Sequence, residues 1–278
     1  MLRAVIFDFD DVIVQTEHLK AVSYAQAISH LCPVMVDQRA IESVFADCIT
    51  AARSQEDDPC ICTISEPDVM ETYKEMVGSS RHDMASAMVK RFSLEPFLMP
   101  YVGQSGVDEP WQALIKVRMP IYESILEDTE LLRDSQWPHN VALLHAVKAK
   151  NLSTALATMS ERRHVLKILD AIGLTDSFEC IVTGEDVSHG KPDPEIYRLV
   201  SQRLNIPPSQ CLVIEDSLSG IKAGLTAGMW VIAVTTPFSK DKVLAANILN
   251  RQWVVDDPNL LPAIFERMLQ ERTLDVLR

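Results

Sequence analysis

RAVIFDFDDVIV (Arg3–Val14) is the stretch from which the rest of the chain is read. Ala4, Val5, Ile6 and Phe7 form a short apolar run with no polar break, the pattern of a strand buried on both faces of a parallel sheet. The run stops at Asp8, Phe9, Asp10 and Asp11. Alternate residues of an extended chain share a face, so Asp8 and Asp10 are expected to project together from the strand's C-terminal end while Phe9 turns into the core. Open parallel sheets bind their ligands at that edge. Two carboxylates converging there repel each other unless a cation or a proton lies between them, and their oxygens suit a hard ion such as Mg²⁺. The same residues would also make an acidic turn that caps the following helix.

Outward from that strand the chain changes character twice. Thr16 to His30 reads as a helix, and the periodicity stays helical to about Asp134, with Met70–Phe92 and Pro110–Leu126 carrying apolar residues at helical spacing. Gln55–Pro67 is acidic with two prolines and reads as a loop, as does Pro96–Pro110 with Gly103 and Gly106. From Asn140 onward strands and helices alternate. Leu152–Ala157, Cys180–Thr183, Cys211–Ile214 and Trp230–Val234 are short apolar runs, with Trp253–Val255 as a further edge strand. Helical segments at Glu161–Ile172, Pro194–Leu204 and Leu218–Ala227 lie among them. This implies right-handed βαβ units and an α/β fold with a Rossmann-like parallel sheet core. Residues 1–16 and 135–278 are assigned to that core, and residues 17–134 to a helical insertion.

The chain's 278 residues suit one or two domains, and 47% apolar residues are enough for a sizeable core. A formal net charge of −13 argues against nucleic acid or an anionic membrane as partner. No apolar run approaches the roughly 18 residues of a membrane-spanning helix, and acidic residues come too early for a signal peptide. The six cysteines (Cys32, Cys48, Cys60, Cys62, Cys180, Cys211) contain no CxxC pair, and Cys60-Ile-Cys62 lacks a second half for a zinc site. Free thiols in a cytoplasmic protein are expected.

The later strand ends carry the remaining chemistry. The strand ending at Ala157 runs into Thr158, Met159 and Ser160 ahead of a helix, where hydroxyls and unpaired amides make an oxyanion site or a simple helix cap. Lys191 lies in Gly-Lys-Pro-Asp-Pro (190–194), where prolines fix the backbone and a helix follows. A rigidly presented lysine supplies the positive charge that the chain as a whole lacks. Glu215 and Asp216 end another apolar strand as a second acidic pair, just before a helix.

In this order, each at a strand's C-terminal end, DFDDVI (8–13), ATMS (157–160), GKPDPEIY (190–197) and VIEDSLSGIKAG (213–224) resemble the motifs of the haloacid dehalogenase superfamily, a family of aspartate-nucleophile phosphotransferases. The subgroup it looks like is that of the β-phosphoglucomutase-like phosphatases and mutases, whose helical cap enters after the first strand. The resemblance implies Asp8 as nucleophile and Asp10 as general acid and base. It implies Thr158, Ser160 and Lys191 as holders of the phosphoryl oxygens. It also implies a Mg²⁺ site from Asp8, the Asp10 backbone carbonyl, Glu215 and Asp216. A phosphatase acting on a small phosphorylated metabolite is therefore expected, in the cytoplasm and without nucleic acid or membrane, with a monomer favoured and the oligomeric state left open. The same fold also serves sugar-phosphate mutases and non-catalytic binding or regulatory proteins.

This sequence departs from the family pattern at several positions. Asp11 stands where glycine is usual, Gln15 where an aspartate is usual, and Lys20 where β-phosphoglucomutases carry a cap histidine. The glycine-flanked arginine motif of a mutase cap is not evident, and Arg53 and Arg81 lie in unfamiliar surroundings. Lys20, soon after the catalytic strand, is the cap residue expected to meet the substrate.

Overall fold

Short runs of apolar residues set the sheet. This computed structural model describes residues 1–31 and 64–274. Its strands are β1 (Ala4–Phe7), β2 (Ser153–Ala157), β3 (Cys180–Val182), β4 (Cys211–Glu215), β5 (Trp230–Val234) and β6 (Val254–Val255). All pair in parallel, forming a six-stranded sheet in the order β3-β2-β1-β4-β5-β6. The α/β fold expected from the sequence is thus the one observed, with β6 at the edge. β1 is central and all four of its residues are buried. Phe7 pairs with Leu156 on one side and Ile214 on the other, so β1, β2 and β4 end level with one another. That register brings Asp8, the Thr158 segment and the Glu215–Asp216 pair to one edge.

The helices are α1 (Thr16–Leu31), α2 (Glu66–Met76), α3 (Arg81–Arg91), α4 (Glu95–Leu98), α5 (Pro110–Ile125), α6 (Thr129–Asp134), α7 (Pro138–Ala149), α8 (Arg162–Ala171), α9 (Glu195–Leu204), α10 (Leu218–Thr226), α11 (Lys240–Ala246) and α12 (Leu261–Leu274). The chain divides into two compact units, Met1–Glu17 with Asp128–Arg278, and His18–Glu127. The sheet unit therefore takes in α6, which packs on α8, with Arg133 Nε donating to Ala171 O at 2.9 Å. In the sheet unit, one core cluster joins Ile6 of β1 to Val213 of β4, Val231 of β5, and Tyr197 and Val200 of α9. Among the described residues no helix is long and apolar enough to cross a membrane.

In the helical unit, Met70–Phe92 is two helices rather than one. Gly78 takes φ 90°, a region open to glycine, and Ser80 then starts α3 by accepting the Asp83 amide at 3.1 Å. Pro67 lies inside α2 rather than in a loop. Ser65 and Asp68 cap each other reciprocally ahead of it, and a proline in the first turn sacrifices only an amide that has no partner there. Pro96 sits likewise in the first turn of α4. Cys32, Cys48, Cys60, Cys62, Arg53 and most of the expected Gln55–Pro67 loop lie outside the described residues.

Candidate active site

Asp8 leaves the central strand while still tied to its neighbour, its amide donating to Ile214 O at 2.9 Å. The extended backbone that the alternation suggested ends there. Asp11 adopts φ 55°, and the chain folds back so that Asp11 N meets Val14 O at 2.8 Å and Ile13 N meets Phe9 O at 2.9 Å. Phe9 is buried, as expected.

The Asp8 carboxylate is 6% exposed and faces Lys191. Lys191 Nζ donates to Asp8 Oδ1 at 2.5 Å, to Glu215 Oε1 at 2.7 Å and to Ala157 O at 3.1 Å. Each of its three N–H bonds has an acceptor, and the ammonium also lies 5.1 Å from the centre of the Tyr197 ring. The segment before Lys191 is fixed by Glu195 at the start of α9, which accepts the amides of Ser188 (2.9 Å) and His189 (2.8 Å). Asp193 in turn accepts the Glu195 amide at 2.9 Å. The acidic residues of GKPDPEIY thus hold the loop that presents its lysine.

Glu215 is fully buried. Besides Lys191, its Oε1 accepts the Tyr197 hydroxyl at 2.8 Å, and Oε2 accepts the Ser217 amide (2.9 Å) and hydroxyl (3.0 Å). Ser217 caps α10 by accepting the Gly220 amide at 3.0 Å. Gly220 makes this approach possible, since a Cβ there would stand 1.6 Å from Glu215 Oε1.

Burial raises the Asp8 carboxyl above its ordinary range, with Lys191 opposing and Glu215 and Asp10 adding to the rise. For Lys191, burial acts to lower the value, but Asp8 and Glu215 outweigh it and keep the ammonium charged. Burial also raises Asp216, followed by the charges of Asp11, Glu215, Asp8 and Glu17. Asp8, Glu215 and Asp216 each offer a carboxylate oxygen within 4.8 Å of the others, a buried oxygen-only set that suits a hard divalent cation. Among the described residues no hydrogen bond reaches the Asp216 carboxylate, and it is 5% exposed. An orphaned buried carboxylate facing two others fits a cation there.

Asp10 points elsewhere. Its Oδ1 accepts the Thr16 hydroxyl at 2.6 Å, and its Oδ2 accepts those of Thr158 (2.9 Å) and Ser160 (2.6 Å). The Ser160 amide donates to Thr158 Oγ1 at 3.0 Å, and Glu161, not Ser160, is the N-cap of α8. The structure therefore brings Asp8, Asp10, Thr158, Ser160, Lys191, Glu215 and Asp216 to one sheet edge. Lys20 lies on α1 in the helical unit, half-buried, with its carbonyl accepting the Ser23 hydroxyl at 2.6 Å. Gln15, between strand and helix, donates its amide to Ser135 O at 2.8 Å.

Residues 2–228 match the family description "haloacid dehalogenase-like hydrolase". The chain belongs to the haloacid dehalogenase-like hydrolases. It is 43% identical over 101 residues to a phosphorylated carbohydrates phosphatase of Thermotoga maritima, covering 36% of this chain and 46% of that protein. It is 30% identical over 171 residues to a phosphoglycolate phosphatase of Salmonella typhi, covering 59% and 65%. The chain spans about half the length of several curated relatives it matches. In fold it is similar to a β-phosphoglucomutase from Clostridium difficile, with TM-score 0.63 over 100% of both chains at 22% identity.

Two hydroxyls reach the site's carboxylates without being marked by the motifs, those of Thr16 and Tyr197. Thr16 is Asp10's partner across the turn, and Tyr197 is the last residue of GKPDPEIY, where helical spacing hides its hydroxyl's use. Arg118, on α5, is 6% exposed, donates to Ser23 Oγ at 2.7 Å, and lies over the rings of Tyr24 (4.4 Å) and Tyr122 (5.0 Å). The i,i+4 spacing of Arg118 and Tyr122 was the available signal. Among the described residues no carboxylate pairs with this arginine.

Gly220→Ala is expected to force Glu215 and the start of α10 apart, costing about 1–3 kcal/mol as an overpacked core does. Activity should fall with it, since Lys191 loses its fixed acceptor; an unchanged melting curve and rate would show that Glu215 has room to move. Lys191→Met leaves two buried carboxylates facing each other. The metal-free variant should lose about 3–5 kcal/mol by urea denaturation, and a loss below about 1 kcal/mol would contradict the balance described.

Proposed function

We propose that this chain is a Mg²⁺-dependent phosphatase that hydrolyses a small phosphorylated metabolite through a phosphoryl group carried on Asp8. The observation that supports it most is the pairing of Asp8 with the buried Lys191 ammonium beside the carboxylate set of Asp8 and Asp216. The phosphatase names of the curated relatives point the same way. A free Asp8 oxygen attacks phosphorus, the bond to the leaving oxygen breaks, and Asp10, entering this step as the protonated acid, delivers its proton to that oxygen. Water then attacks the aspartyl-phosphate, Asp10 takes back a proton, and inorganic phosphate leaves with Asp8 restored.

Lys191 offsets the charge of the phosphoryl oxygens, and the Thr158 and Ser160 hydroxyls donate to them. A hydroxyl has one proton to give, so donating to phosphate means releasing Asp10. Glu215 we assign to holding Lys191 and Ser217, since both its oxygens already accept hydrogen bonds. Asp8, Asp216 and the Asp10 carbonyl would hold Mg²⁺, which supplies positive charge to the transferring group. The free thiols of Cys180 and Cys211 suit a cytoplasmic setting, and burial pushes the Cys211 thiol up to about 11.

Substrate choice we assign to the helical unit, through Lys20, a cation suited to an anionic group on the substrate's non-reacting part. Among the described residues no histidine stands at the position a β-phosphoglucomutase uses, which favours hydrolysis over mutase chemistry.

Asp8→Asn should abolish turnover by several orders of magnitude with the fold retained. Asp10→Asn should still let Asp8 be labelled by acetyl phosphate but slow its hydrolysis more. Mass spectrometry reads both steps; substantial turnover in Asp8→Asn, or equal loss of both steps in Asp10→Asn, contradicts these roles. Lys20→Ala should raise KM for the best substrate of a metabolite-phosphate panel while changing p-nitrophenyl phosphate turnover much less. Equal effects on both substrates would remove Lys20 from recognition.

A further inference from the structure

Asp11 stands where the family usually has glycine, and the proposed chemistry does not use it. Its backbone occupies the left-handed region at φ 55°, which disfavours residues bearing a Cβ. Its carboxylate is 1% exposed, a second cost that glycine would escape. Strain and a buried charge kept together beside an active site point to a use.

The sheet order indicates what that use is. Asp11 follows β1, Thr236 follows β5, and β4 lies between these strands. Asp11 Oδ2 accepts the Thr236 hydroxyl at 3.2 Å, and Oδ1 accepts the Glu17 amide in the first turn of α1 at 3.3 Å. A side chain that links the exits of β1 and β5 crosses the end of β4, where Asp216 sits. Asp216 is itself the buried carboxylate that no hydrogen bond reaches among the described residues, and its oxygen lies within 4.8 Å of those of Asp8 and Glu215.

We propose that Asp11, reaching across the end of β4 to Thr236, stands as an outer carboxylate beside the cation site and raises this chain's affinity for the divalent ion. It acts as a positioning residue. Thr236 and the α1 amide hold its charge beside Asp216, where it strengthens the field the ion meets, as outer partners of metal ligands do. The inference rests on the assignment of Asp8 and Asp216 as the cation site.

The test is calorimetric titration of Mg²⁺, and of Mn²⁺ followed by electron paramagnetic resonance, into metal-free wild type, Asp11→Asn and Asp11→Gly. Both variants should bind on the order of 10–100-fold more weakly, and saturating Mg²⁺ should raise their melting temperatures less than it raises the wild type's. Asp11→Gly without metal should melt no lower than wild type, because glycine accepts φ 55° and a like charge has gone. An Asp11 that only caps α1 would give the reverse: lower metal-free melting with dissociation constants within about twofold of wild type, which overturns the proposal. Weakening in Asp11→Gly but not in Asp11→Asn overturns it too, since the charge is what it requires. A wild type that binds no divalent ion overturns the cation site itself, whereas equal binding by all three proteins removes only the role of Asp11.

Discussion

Between the buried carboxylates of Asp8 and Glu215 lies a single ammonium, that of Lys191, 2.5 Å from one and 2.7 Å from the other. Two carboxylates taken out of water cost several kcal/mol each unless compensated, and mutual repulsion adds to that. Lys191 offsets both terms, and its third N–H goes to Ala157 O, so the compensation also ties β2 to the site. Among the described residues the Asp216 carboxylate accepts no hydrogen bond, although it is buried beside Asp8 and Glu215. The site is thus balanced on its Lys191 side and acidic on its Asp216 side. A phosphoryl group carries several negative oxygens, so it can approach only where the second half is balanced as well. A bound cation and a bound phosphate are then mutually supporting, each relieving the charge that opposes the other.

The geometry behind this balance comes from strand register and from one glycine. Residues level with one another at the ends of β1, β2 and β4 bring side chains from widely separated stretches of sequence together without any long loop having to be ordered. Gly220 does the complementary work on the helix side. By carrying no Cβ, it lets the first turn of α10 close on Glu215, and the Ser217 amide and hydroxyl then satisfy the oxygen that Lys191 and Tyr197 leave. A carboxylate with both oxygens bonded cannot rotate toward a ligand without breaking several contacts. This is why Glu215 suits the holding of Lys191 better than it suits a metal ion.

Much of this was legible in the sequence because it rests on features that sequence records directly. Val5-Ile-Phe-Asp and Val213-Ile-Glu are apolar runs that end in charge, the pattern of a strand that reaches the ligand-binding edge of a parallel sheet. The sheet class, the strand positions and the residues brought to the edge followed. The path of the chain after Asp8 did not, because a left-handed residue leaves no periodic trace and the alternation rule holds only while the strand lasts. The partners of Asp10 were missed for a related reason: Thr16, Thr158 and Ser160 meet it across the edge, and hydroxyls read alone look like caps. In the helical unit, the break at Gly78 and the caps at Ser65 and Ser80 divide what periodicity joined. Nothing in the sequence pattern marks the burial of Arg118 against Tyr24, because that contact joins two helices far apart in the chain.

The hydroxyls on Asp10 connect the two halves of the proposed reaction. Thr158 and Ser160 both donate to Asp10 Oδ2, and Thr16 donates to Oδ1, so the carboxylate is parked against its own strand edge. Each hydroxyl has one proton, and a phosphoryl oxygen carrying more negative charge than a shared carboxylate is the stronger acceptor. When phosphate takes over the Thr158 and Ser160 hydrogen bonds, Oδ2 gives up those two while Oδ1 keeps Thr16. Asp10 can then turn Oδ2 toward the group whose leaving oxygen needs a proton. In this arrangement the acid is released by the same event that brings the ester to the nucleophile, and water arriving in an empty site meets an Asp10 that is already occupied.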